Sequence, residues 1–126
     1  MKLFSIEEAN ELLPTVRRIV ERIQAAHRKT LLFAPEAQRA ARSADLGGGM
    51  PSDKGNQYVY AVTHLAECVE KLDQLGVQLK DYERGLVDFP SLRDGRIVLL
   101  CWQIGEPDQI EWWHDLEAGF AGRQPI

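Results

Sequence analysis

The chain has 126 residues, 44% hydrophobic and 27% charged, with a formal net charge of −4. That is the size and composition of one globular domain, able to bury a core without disulfide or metal staples. No stretch approaches the roughly 20 consecutive apolar residues of a membrane span, so a membrane partner is not expected.

Ser5-Ile6-Glu7-Glu8 is a capping box, in which hydroxyl and carboxylate each take a free amide of the first turn. It predicts a short helix to about Leu13. Nothing before it forms a long apolar run, so no secretory signal is expected and the cytoplasm is the expected compartment. Pro14 lacks an amide hydrogen, and so either kinks this helix or starts a second one. Leu13, Val16, Ile19/Val20, Ile23 and Ala26 then recur at helical spacing. Residues 17–42 hold seven basic side chains against two acidic ones. No base-reading motif accompanies them, so they read as a solvated helix face, and nucleic acid is not an expected partner. Pro35 interrupts the pattern, and a weaker alanine-rich helix spans Glu36 to about Asp45. Gly47-Gly48-Gly49-Met50-Pro51 reads as a loop.

Val59, Val62, Leu65/Ala66, Val69, Leu72 and Leu75 mark a second long helix, with Gly76 at its left-handed cap position. The two helices should form an antiparallel hairpin. His27 and His64 lie beside apolar rows without metal-ligand spacing and read as packed or surface residues.

After Gly76 the period becomes two. Residues 77–82 form a first strand, turned by Glu83-Arg84-Gly85. Leu86–Phe89 form a second, stopped by Pro90. Arg93-Asp94-Gly95 is a turn, and Arg96–Ile104 read as a central strand. Glu106-Pro107-Asp108-Gln109 reads as a type I turn, followed by a last strand from Ile110 to His114. The expected architecture is α+β: an N-terminal helical hairpin, with a short capped first helix, on a C-terminal four-stranded antiparallel meander. It is expected to be a single domain over 1–126, with a helical part at 5–75, a sheet part at 77–114 and a tail at 115–126.

"FSIEEANELLP", "GVQLKDYERGLVDFPSLRDGRIVLLCWQIGE" and "WHDLEAGFAGRQP" resemble a prokaryotic family known as domain of unknown function 2203. The resemblance spans nearly the whole chain, with little of it in residues 33–56. It implies a small intracellular protein and carries no catalytic residues across.

The chemistry-bearing residues gather in the second half. Alternation puts Asp88 on the sheet face opposite Val87 and Phe89, and Trp112 with His114 opposite Glu111 and Trp113. Gly119 and Gly122 allow the tail to turn back, which would carry Arg123 over the sheet. The candidate site or interface is Asp88, Arg96, Trp102, Trp113, His114, Glu117 and Arg123. In the leading reading the protein is a binding module that acts through this aromatic, charged half, as a homo-oligomer or on another protein, since Trp and Arg anchor interfaces. The alternative is a metal-assisted or acid–base hydrolase using His114 with Asp88 or Glu117, with Arg123 clamping an anionic substrate. No cofactor is predicted for the first reading; a divalent metal on His114, Glu117 and Asp88 would serve the second. A purely structural role is the third reading: the three tryptophans cap the sheet against the helices, Asp88 and Arg96 pair or bond to turn backbone, and Arg123 pins the tail to Asp88 or Glu117. Cys68 and Cys101 are read as buried free thiols in apolar surroundings, and Cys101, in an apolar strand, as inert.

Overall fold

The computed structural model describes residues 1–45 and 53–126. Helices α1 (Ile6–Asp45) and α2 (Asp53–Leu75) precede five strands. These are β1 (Gln78–Asp81), β2 (Leu86–Arg93), β3 (Arg96–Gln103), β4 (Trp112–Asp115) and β5 (Gln124–Pro125). Each strand pairs antiparallel with its chain neighbour, in the order β1-β2-β3-β4-β5. The fold is α+β, a helical pair followed by an antiparallel meander. The tail adds a fifth strand to the expected four. The glycine run at 47–49 lies outside the described residues.

The capping box forms as read: the Ser5 amide donates to Glu8 Oε1 at 3.1 Å and the Glu8 amide to Ser5 Oγ at 3.0 Å. The expected short first helix does not end there. Pro14 and Pro35 both lie inside α1. Both prolines are exposed, so the carbonyl each leaves without an amide faces the solvent side of the helix. Packing outweighs that loss: Ala9, Leu13, Val16, Val20 and Ile23 form an unbroken, fully buried stripe across Pro14. Each large side chain in it contributes roughly 1.5–3 kcal/mol relative to exposure. The stripe meets Cys68 and Leu72 of α2 and the inner sheet face, which carries Val87, Phe89, Val98, Leu100, Trp102 and Trp113.

The apolar row read along α2 is buried only in its second half. Leu72 is 1% exposed, whereas Val59 is 61% and Val62 41% exposed. Length explains this. A 40-residue helix is about 60 Å long, while an eight-residue strand covers roughly 27 Å, so the helical pair overhangs the sheet. At the other end of α2, the Gly76 amide bonds Asp73 O at 2.9 Å and the Val77 amide bonds Leu72 O at 3.1 Å, the paired bonds of a Schellman cap.

Pro90 does not stop β2, which continues to Arg93. Its carbonyl accepts the Phe4 amide at 2.7 Å, on the side where pairing with β1 has already ended at Asp88. A missing N–H there costs the ladder nothing. The turn expected at 106–109 closes earlier, where the Glu106 amide donates to Gln103 O at 3.1 Å.

Candidate functional site

The β2–β3 hairpin is closed by Asp94 and Gly95, both at positive φ (52° and 79°). That is the two-residue connection whose twist matches paired strands. It pairs Arg93 with Arg96, and counting back along the ladder pairs Asp88 with Cys101. On the far side of β3, Leu99 pairs with His114 and Cys101 with Trp112. Asp88, Cys101 and His114 therefore stand together on the outer face of the sheet, one from each of three adjacent strands, opposite the helices.

An outer sheet face ordinarily meets water. Here Asp88 and His114 are 2% exposed and Cys101 1%, because the tail folds back across them. Gly119 makes that return, with φ 65° and ψ −167°, a combination essentially restricted to glycine. Its neighbours Leu116, Glu117 and Phe120 then form one wall of a cavity of about 200 Å³, whose floor includes Asp88 and His114. Lys80, the unpaired residue of a bulge in β1, also lines it.

His114 Nδ1 lies 2.7 Å from the Asp115 carbonyl. A carbonyl only accepts, so Nδ1 carries a proton and donates it. This leaves Nε2, 3.1 Å from Asp88 Oδ1, with one proton between imidazole and carboxyl. Burial pushes the Asp88 carboxyl up from the usual carboxylate range, against the pull of His114. Burial, reinforced by the Asp88 charge, pushes the Cys101 thiol up to about 11. Cys101 pairs with Asp88 across the ladder, and the carboxylate charge beside it holds the sulfur as a thiol. A nucleophilic cysteine needs the reverse arrangement. Among the described residues no buried side-chain polar atom lacks a partner.

Arg123 closes one side. Its Nη1 and Nη2 donate to the two Glu106 oxygens at 2.8 and 2.7 Å, a bidentate pair. Its Nε donates to Cys101 Sγ and Nη2 to Cys101 O, both at 3.3 Å. Its guanidinium stacks 4.6 Å from the Phe120 ring centre and 5.4 Å from that of Trp112. Burial raises the Glu106 carboxyl, but the Arg123 bonds and the Gln103 amide outweigh it, and the net shift is downward. Arg123 thus pins the tail, as the structural reading expected, but to Glu106 and not to Asp88 or Glu117. Its ionic capacity is used within the chain, which removes the expected clamp for an anionic substrate.

The expected site divides. Asp88, His114 and Glu117 share the cavity, and Arg123 bonds Cys101, the ladder partner of Asp88. Trp102 and Trp113 lie on the opposite, core-facing side. Trp102 donates to Pro107 O at 2.8 Å, and Arg96 pairs with Asp115 at 3.1 Å, outside the centre. Trp112 shares the outer face with His114 and does not cap the helices. Cys101 is buried and free as expected, but its neighbours are Asp88 and Arg123 and not apolar groups alone. Sequence reasoning missed Cys101 and Glu106. The Asp94-Gly95 turn held the signal for Cys101, since a two-residue connection there makes 88 and 101 partners. The basic helix face also supplies one structural residue: Arg17 bonds Asp108 Oδ1 and Glu106 O, each at 2.7 Å.

A wider groove of about 850 Å³ runs between the helices past Ala26, Phe33, Tyr60 and Ala61. His64 at its edge lies 3.7 Å from Cys68 Sγ. Its walls are mostly apolar, and the chemistry-bearing cluster lies on the sheet.

A family model described as "Uncharacterized conserved protein (DUF2203)" matches residues 2–126. No curated protein and no solved structure matches the chain.

Proposed function

The chain belongs to the DUF2203 family, and from the chemistry of its outer sheet face we propose that it is a binding module whose working part is the cavity over Asp88 and His114. One observation carries this reading: a buried carboxyl–imidazole pair, 3.1 Å apart, forms part of the cavity floor. Taking such groups out of water costs several kcal/mol before pairing repays it. Apolar side chains would cover a sheet face without that cost.

The volume of about 200 Å³ is below the roughly 300–1,000 Å³ of pockets for drug-sized ligands. The ligand is therefore fragment-sized. It offers a polar group to the Asp88–His114 pair and an apolar body to Leu86, Leu99 and Phe120. The anchored Nδ1 of His114 favours a second reading at the same place. An imidazole held in one orientation, with its other nitrogen sharing a proton, suits acid–base transfer to the ligand. Hydrolysis of a small ester or amide is the concrete form of that reading.

Titration of histidine-labelled protein with single-ring and small carboxylic fragments tests the proposal by NMR. Fragments should move the His114 ring resonances, leave those of His27 and His64 in place, and bind at least tenfold more weakly to His114→Gln. Fragments that move only His64, or no histidine, sink the reading. Homo-oligomerisation is part of the same proposal, but its support now lies on the helices. Leu32 is 69% and Tyr60 78% exposed, whereas Trp113 is 8% exposed.

A further inference from the structure

We propose that Asp88, Cys101 and His114 form a transition-metal site of the zinc class, with carboxylate, thiolate and imidazole donors and a fourth position open to the cavity. The inference rests on reading that cavity as the working site, and it names what the site holds.

Four observations converge on it. The donor atoms of the three residues all lie within 4.8 Å of one another. An ion held at roughly 2.0–2.3 Å from each donor is reached by small side-chain adjustments. The three residues sit on three hydrogen-bonded strands in fixed register, so their spacing comes from the ladder and not from a mobile loop. The Nδ1–H of His114 is spent on the Asp115 carbonyl at 2.7 Å, leaving Nε2 as the nitrogen directed at the cluster. Metal-bound histidines are oriented by such a bond to a carbonyl or carboxylate. Arg123 Nε donates to Cys101 Sγ at 3.3 Å, a contact that fixes the position of the sulfur, and Glu106 holds that guanidinium in place.

The donor set selects the metal class. One sulfur, one nitrogen and one oxygen suit zinc, cobalt or iron better than the all-oxygen shells of magnesium and calcium. Three protein donors with one open position is the pattern of a zinc site that takes a water or a ligand. Glu117 lines the cavity but does not belong to the cluster, so Cys101 takes the place that sequence spacing assigned to it. Binding displaces the thiol proton of Cys101 and the proton between Asp88 and His114, both to solvent.

Cobalt(II) is the probe. Added to chelator-treated, reduced protein, it should bind one per chain and give a thiolate-to-cobalt charge-transfer band that zinc abolishes. The band should vanish in Cys101→Ser and persist in Cys68→Ser, which separates this site from the His64–Cys68 pair. Asp88→Asn and His114→Gln should weaken binding at least tenfold, and Glu117→Gln should leave the band intact. No band in the wild-type protein, or a band that follows Cys68, overturns the proposal, and neither result depends on a variant folding. Absence of the band while fragments still move the His114 resonances would end the metal site alone. Failure of the fragments with the band present would instead strike the small-ligand reading.

Discussion

Glu106 illustrates how one residue holds the site together without belonging to it. Its carboxylate is bonded twice by Arg123 and once by the Gln103 amide, and the arginine side chain is only 10% exposed. Glu106→Gln leaves a largely buried guanidinium without its counter-charge, a change that costs about 3 kcal/mol. The pH dependence follows from the lowered Glu106 pKa. A carboxyl depressed on folding contributes stability that is present above its unfolded value, and that stability is lost as pH falls through the folded value. Urea melts should therefore show the full gap between wild type and Glu106→Gln near neutrality. The gap should close as pH drops below the ordinary carboxylate value of about 4.3. A gap that stays constant into acid would show that the ion pair contributes nothing.

The tail is the element that turns a sheet face into a site. Gly119 reverses it, Arg123 bonds Cys101 and stacks on Phe120, which lines the cavity, and β5 returns to pair with β4. With this cover in place, Cys101 is 1% exposed with its thiol near 11. In Cys68→Ser protein at pH 8 it should alkylate far more slowly than a free thiol of pKa about 8.5. Ending the chain at Ala118 removes both the cover and the β5 strand. Labelling of Cys101 should then accelerate at least tenfold by mass spectrometry, while the capped first turn of α1 stays protected. Equal labelling rates in the two chains would mean that the tail does not seal the site.

At the scale of the molecule, α1 is far longer than the sheet it packs on. Its buried stripe runs from Ala9 to Ala26, and beyond that Leu31 and Leu32 are 60% and 69% exposed. Few buried contacts mean low local stability. Amide hydrogen exchange should be slowest between Ala9 and Ala26 and orders of magnitude faster from Thr30 to Arg42. Uniform protection along α1 would place a covering partner on the overhang and strengthen the proposal of self-association through the helices.

Local rules carried far in this chain. The capping box, the helical stripes, the Asp94-Gly95 turn and the period-two segments are short-range patterns, and they were enough to establish the class of fold and the face on which Asp88 and His114 lie. What they could not establish was which residues from different strands become neighbours. Cys101 reads as a core thiol until the ladder puts it opposite Asp88, and Arg123 reads as a clamp for a ligand until Glu106 takes its guanidinium. Pro14 and Pro90 mark stops by local propensity, and both were overruled: one by a buried stripe running past it, the other by an edge that needs no amide. The cavity exists only because a tail from the end of the chain crosses strands formed far earlier in it. A contact of that kind is set by register and closure over long sequence separations, and those are properties of the assembled sheet.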